Sequence, residues 1–357
     1  MDFGLFVPCH RFDASLSVKE LYDQVLEMVK LADEAGFNTV WFPEHHLVQY
    51  YASPSPLMWM VKAAAATRRV RVGAAILVIP YYNPLRLAGE IGMADILCDG
   101  RLEIGVGRGA FEYEFDRFGI NEQIGGARLR EGMEILEGLL TQDDFSYDGA
   151  TCSFGPATAV PKSLQQPHPP IWVAARSPDT IGWALKRGYN LLTTPWRDPF
   201  SRIKKHHEQV MQIAAEVGVT KPPKLAVSRM TFVGATDGDA LEAMADIQVS
   251  HRIFMRLFRN EATVKGGFTL PEPVDDEYSR EQLMENLVAG SPATCVEKVR
   301  AYEQLGRFPL EEVELRDDQP EGHREQGEQQ HGRGRGDRVR GRQPARDLRH
   351  PDRARGR

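Results

Sequence analysis

Apolar positions along this chain alternate between two periods. Residues 2–8 form a short apolar run, read as a buried strand. Residues 17–35 then place Leu21, Val25, Met28, Val29 and Ala32 at helical spacing before Gly36 ends the pattern. The pattern recurs down the chain: further strands are predicted at 38–42, 70–79, 170–175, 189–194 and 225–233, and one within 100–109, where Leu102, Ile104 and Val106 alternate. Helices are predicted at 56–67, 84–97, 127–140, 199–217, 237–257 and 292–305, with one more opening at Ser177-Pro178 as N-cap and first turn. Phe111, Phe115 and Phe118 mark a short helical turn, while 145–168 reads as an excursion and 259–277 as an irregular insertion. Regular β-α units in this number predict an α/β fold of the (β/α)8 TIM-barrel type, since a doubly wound sheet would normally end sooner.

The pattern breaks where an eighth unit is due. From Arg316 onward there are 12 Arg and 8 Asp plus Glu, with no Lys, Ile, Phe or Tyr. Such a segment buries too little apolar surface to offset its ordering entropy. The expected organisation is therefore a barrel over 1–310 and a disordered, low-complexity Arg/Gly-rich tail over 311–357. That composition resembles out-of-frame translation of GC-rich DNA from near Gly306, which would leave the last β-α unit missing or replaced. Without residues 316–357 the formal charge goes from -6 to -10, because 12 positive and 8 negative groups are removed. An acidic body argues against a nucleic-acid surface. No apolar run approaches the ~20 residues of a membrane span, and the first residues lack a basic leader, so a cytoplasmic protein is expected. Four scattered cysteines, Cys9, Cys98, Cys152 and Cys295, read as reduced thiols.

Chemistry concentrates after three of the strands. Gly100-Arg101-Leu102-Glu103-Ile104-Gly105-Val106-Gly107-Arg108-Gly109 reads as a strand entering a glycine-rich turn, with glycines that let a ligand approach the backbone and Arg108 presented where the strand stops. Its match to a dinucleotide fingerprint is set aside, because Glu112 and Glu114 would flank the pyrophosphate. Glu44-His45-His46 follows the second strand, where one imidazole suits proton transfer while the other packs. No spacing indicates a metal. Arg176, Ser177 and Thr180 combine a cation, hydroxyls and a helix start into an anion site. Arg128 either completes a phosphate clamp or pairs with Glu131 or Glu134. His206-His207 reads as a solvated helix face.

Taken in order, MDFGLF, the EHH, VGAAILVIP with NPLRLAGE, and GRLEIGVGRG with Glu114-Phe115 and Phe118-Gly119 resemble the bacterial luciferase-like flavin monooxygenases over residues 1 to about 305. The resemblance implies a TIM barrel that binds reduced FMN at its C-terminal mouth. O2 is the co-substrate, and a C4a-peroxy adduct oxygenates a small, apolar organic molecule. It implies His45 as the catalytic histidine, Arg108, Arg128, Arg176, Ser177 and Thr180 around the flavin and its phosphate, and Ala74 and Ala75 in the segment with a non-prolyl cis peptide. Phe6, Glu44, Phe111 and Glu114 are taken as the substrate pocket. Two departures stand out: Arg176 replaces a glutamate of the luciferase, and Gly107 replaces a cysteine. A separate NAD(P)H:flavin reductase is implied, since no second nucleotide domain is evident, and a homodimer is expected, with 56–66 either its face or a helix packing on its own barrel. The alternatives are a deazaflavin-dependent hydride-transfer enzyme on the same fold and a non-catalytic flavin-binding barrel. Substrate choice is expected in the 259–277 insertion, where Phe268, Leu270 and Pro271 form an apolar lid.

Overall fold

Parallel strands and outer helices alternate from the start of the computed structural model, which describes residues 1–219, 224–275 and 277–306. In chain order these are β1 (Gly4–Phe6), α1 (Val18–Ala35), β2 (Thr39–Phe42), α2 (Pro56–Ala66), β3 (Arg71–Ala74), β4 (Leu77–Val78), α3 (Pro84–Leu97), β5 (Leu102–Gly107), α4 (Glu112–Phe118), α5 (Gly125–Thr141), β6 (Phe145–Asp148), β7 (Ser153–Ala157) and β8 (Ile171–Ala174). There follow α6 (Pro178–Lys186), β9 (Asn190–Thr193), α7 (Phe200–Glu216), β10 (Leu225–Val227), β11 (Thr231–Val233), α8 (Asp237–Phe258), β12 (Val264–Lys265), β13 (Phe268–Thr269), α9 (Arg280–Asn286), β14 (Val288–Gly290) and α10 (Pro292–Gly306). They belong to one unit, Met1–Phe308. The expected tail, its boundary at 310 and the eighth β-α unit lie outside the described residues.

The main sheet runs β1-β2-β3-β5-β8-β9-β10, all parallel, with β4 also on β5. Its order follows the chain without reversal, the winding of a curled barrel sheet and not of a doubly wound one. Several helix starts are set locally. Ser17 and Glu20 form a capping box on α1, Asn83 caps α3 and Ser177 caps α6. Val25, Val29, Val40, Val72, Leu87 and Ile104 belong to the buried layer between sheet and helices.

Two predicted strands are broken. The one expected over 70–79 splits because Gly73 pairs with Glu103 and Leu77 with Val106, four steps against three on the neighbour. That surplus residue is a bulge, and the Ala75-Ile76 peptide within it is cis. The strand expected over 225–233 leaves the main sheet after Val227, and β11 pairs with β14 instead. Arg229 sits at the break, donating to the carbonyls of Pro195 (3.3 Å), Asp198 (2.9 Å) and Asn286. This cation thus ties the break to the segment after β9 and to the residue before Leu287. The 145–168 excursion holds the hairpin β6-β7, and the 259–277 insertion holds the hairpin β12-β13. The second hairpin is tied down: Gln49 N–H donates to Gly267 O at 2.8 Å, and the Arg11 guanidinium lies 5.0 Å from the Phe268 ring centroid. No helix among the described residues is long and apolar enough to cross a membrane.

Candidate active site at the C-terminal ends of the strands

The barrel interior is closed by aromatic packing. Trp41 of β2 and Trp172 of β8 meet edge to face at 5.4 Å, and Leu192 joins them, with Phe6, Ala75, Ile76 and Ala226 packed alongside. Below this, Glu103 accepts from the Trp172 indole and from Arg71 Nε at 2.5 Å, so a buried carboxylate is paired. The glycines of β5 serve a purpose that the sequence did not reveal. A Cβ on Gly105 would stand 1.9 Å from the Ala74 carbonyl oxygen, and one on Gly107 would stand 2.2 Å from Ile76 Cδ1. Those positions admit the chain's own bulge at 74–76, where ligand access to the backbone was expected.

Beyond β2, two histidines and two glutamates pair crosswise. His45 Nδ1 lies 3.1 Å from Glu114 Oε1, and the same oxygen accepts the His46 backbone N–H at 2.7 Å. Tyr81 OH donates to the other Glu114 oxygen at 3.3 Å. His46 Nε2 instead lies 3.0 Å from Glu44 Oε1, while Glu44 Oε2 accepts the Val78 N–H at 2.7 Å. Burial holds the Glu44 carboxyl above its usual range, offset in part by His46 and by the Val78 N–H. The His45 ring stacks against Tyr51 and against Phe111, with both centroids 4.3 Å away. His46 meets Tyr81 and Phe118 edge-on. Glu44, Phe111 and Glu114 were expected as pocket walls, yet they are 3%, 0% and 1% exposed. They stand behind the imidazoles, with both carboxylates already committed to protein donors, whereas Phe6 is half-buried against the interior aromatics.

The expected anion groups lie at the ends of adjacent strands, since Val106 pairs with Val173. Arg108 follows β5 directly and is exposed; its stem packs on Gly125, where a Cβ would lie 2.8 Å from Arg108 Cγ at the start of α5. Ser177 caps α6, accepting the Thr180 N–H at 3.3 Å and lying 2.9 Å from Thr180 Oγ1. Arg176 is exposed and lines a cleft of about 610 Å³ with Thr193, Arg202, Lys205 and His206. His206 and His207, read from sequence as a solvated face, are half-buried, and burial lowers both below the usual imidazole value. Arg128 is half-buried on the first turns of α5. Its two candidate partners are engaged elsewhere: Glu131 accepts the N–H groups of Thr151 and Cys152, and Glu134 accepts Tyr147 OH and pairs with Arg187. Cations, hydroxyls and two helix starts at one end of the sheet are a donor set suited to a phosphate. The apolar bulge at 74–76 is suited to a flat ring.

The model of a family described as luciferase-like monooxygenase matches residues 1–307. The oxygenase component of a flavin-dependent trigonelline monooxygenase from Acinetobacter baylyi is 32% identical over 315 residues, covering 86% of this chain and 87% of that protein. Among solved structures, monooxygenase RslO1 from Streptomyces bottropensis superposes with a TM-score of 0.74 at 26% identity, over 85% of this chain and 89% of the other. The oxygenating constituent of 3,6-diketocamphane monooxygenase from Pseudomonas putida, solved in complex with FMN, gives 0.69 at 22% identity over 85% and 89%; this likeness concerns the fold alone.

Proposed function

Because the chain belongs to the luciferase-like monooxygenase family, we propose that it is the oxygenating partner of a separate NAD(P)H:flavin reductase. In this reading it binds reduced FMN and uses O2 to oxygenate a small, apolar organic substrate. Reduced FMN with O2 supplies the oxygenating chemistry. The reading rests above all on His45, an imidazole stacked on two aromatic rings at the same end of the sheet as Arg108, Arg176, Ser177 and Thr180. Ser177, Thr180 and the arginines bind the phosphate, with Arg128 assigned to the same clamp. Ala74, Ala75 and Ile76 support the ring, and Trp41, Trp172 and Leu192 keep water out from below. His45 would hold or deliver a proton beside the bound ring.

Stopped-flow mixing of the reduced-FMN complex with O2 tests this. An absorbing oxygenated flavin that outlives the one formed by free FMN is expected. Reoxidation no slower than that of free flavin, or hydride transfer from a reduced deazaflavin in its place, would overturn the reading. The same proposal takes the protein to be cytoplasmic and homodimeric through α2 and α3, on which Met58, Met93, Ile96 and Leu97 are exposed. Sedimentation of Met58→Lys/Ile96→Lys should then give a monomer; an unchanged dimer would place the contact elsewhere.

A further inference from the structure

We propose that Glu114 is the positioning residue of the site, fixing His45 with its proton on Nδ1 and so presenting a bare Nε2 to the reactants. Stacking alone leaves this open. Tyr51 and Phe111 both stack on the imidazole, at interplanar angles of 22° and 26°. A stacked slot is indifferent to a half-turn about the Cβ–Cγ bond, which exchanges the edge bearing Nδ1 for the edge bearing Cδ2. The degeneracy is broken by hydrogen bonding. A carboxylate only accepts, and the His46 backbone N–H that reaches Glu114 Oε1 only donates. The His45 Nδ1 contact to that oxygen is therefore satisfied when the proton sits on Nδ1. Nε2 then keeps its lone pair, and among the described residues it has no protein hydrogen-bond partner, while 17% of the side chain stays accessible.

Glu114 is itself held. Tyr81 OH and the His46 N–H fix its two oxygens, and its side chain is 1% exposed, so its place does not depend on solvent. The other pair serves a different end: Glu44 joins His46 to the Val78 N–H and so fastens the end of β2 to β4. Arg108, Phe111 and Glu114 also come from one short stretch following β5. A group bound at Arg108 and the edge of the imidazole that faces it are thus set by the same piece of backbone.

The inference rests on the role of His45 given above, and the experiment separates the two. Full-length protein labelled with 15N-histidine is studied by long-range 1H–15N correlation, the His45 signals being identified by their loss in His45→Gln. The wild type should show Nδ1–H with bare Nε2. Glu114→Ala and Glu114→Met should shift His45 toward Nε2–H and speed reoxidation of bound reduced FMN by O2 at least ten-fold, with FMN affinity unchanged within twofold. Glu114→Gln, whose amide oxygen still accepts from the His46 N–H and from Nδ1–H, should keep the wild-type tautomer. A wild-type Nε2–H tautomer, or an unaltered tautomer in Glu114→Met, would overturn the positioning role. If Glu114→Ala does not fold, the wild-type spectrum and the Met variant, which keeps the side-chain volume, decide. Should Glu114→Met switch the tautomer while His45→Gln leaves reoxidation unchanged, the positioning stands and the oxygenase role of His45 fails.

Discussion

The two sides of the mouth are built on opposite principles. At the end of β2 the carboxylates are buried, the imidazoles half-buried, and each is already bonded to another protein group, as His45 is to Glu114 and His46 to Glu44. At the ends of β5 and β8, Arg108, Arg176 and Ser177 are exposed. A buried, mutually satisfied pair is organised before anything binds, and its worth lies in geometry. Exposed cations contribute little to the fold in water and are strengthened by a bound anion. The proton side should therefore lose reactivity without losing affinity when altered, and the anion side the reverse. The sharpest challenge is His45→Ala, for which the delay before bound reduced FMN is reoxidised should shorten about 100-fold. Titration with FMN should show affinity within twofold of wild type, and a large loss of binding would break the contrast.

Between the two sides lies the bulge, which neither principle describes. Gly105→Ala would drive a Cβ to 1.9 Å from the Ala74 carbonyl oxygen, a backbone atom with neighbours on every side. Overpacking of this kind costs about 2 kcal/mol, measurable by urea unfolding, and should weaken FMN binding as the 74–76 segment is displaced. A variant as stable as wild type would mean that the bulge moves freely and sets nothing.

The exposed side is tested next. Arg176→Ala should weaken FMN binding about tenfold, roughly the worth of one charge-assisted hydrogen bond. The loss should diminish in high salt, with unfolding free energy unchanged within about 0.5 kcal/mol. A fall in stability larger than the fall in affinity would mean that Arg176 belongs to the fold, as Arg229 does.

Local rules were enough to read the outer scaffold. Ser177 stands where its cap was expected, and the helices predicted over 17–35, 84–97 and 199–217 are found as α1, α3 and α7. Failures occur where partners are distant in sequence. Val70 to Ile79 carries strand-like residues throughout, and only pairing with β5 shows that one residue too many must bulge. Gly105 and Gly107 announce missing side chains without saying what fills the gap, and the filler is thirty residues upstream. Glu114 is expected in the substrate pocket, and nothing in the sequence ties it to His45, 69 residues earlier. No signal marked α9 or β14, because β14 has no ladder until β11 leaves the main sheet.

His10 supplies the smallest effect and the finest test of the buried side. It stacks on Tyr50 at 4.4 Å and also touches Phe12 and Tyr51, with a buried Nε2 that has no hydrogen-bond partner. Burial, and secondarily His45, push its pKa from the ordinary 6.5 down to about 3. The unfolded chain therefore binds more protons than the fold between these two values, and the stability that a neutral His10 permits is present above 6.5 and lost as pH falls toward 3. At pH 5.5 the loss amounts to about 1 kcal/mol. His10→Phe keeps the stacking and removes the titration, so its unfolding free energy should match wild type at pH 8 and exceed it by about that amount at pH 5.5. Equal stabilities at both values would mean that this cluster accepts a proton without cost, and that the buried side of the mouth is wetter than its packing implies.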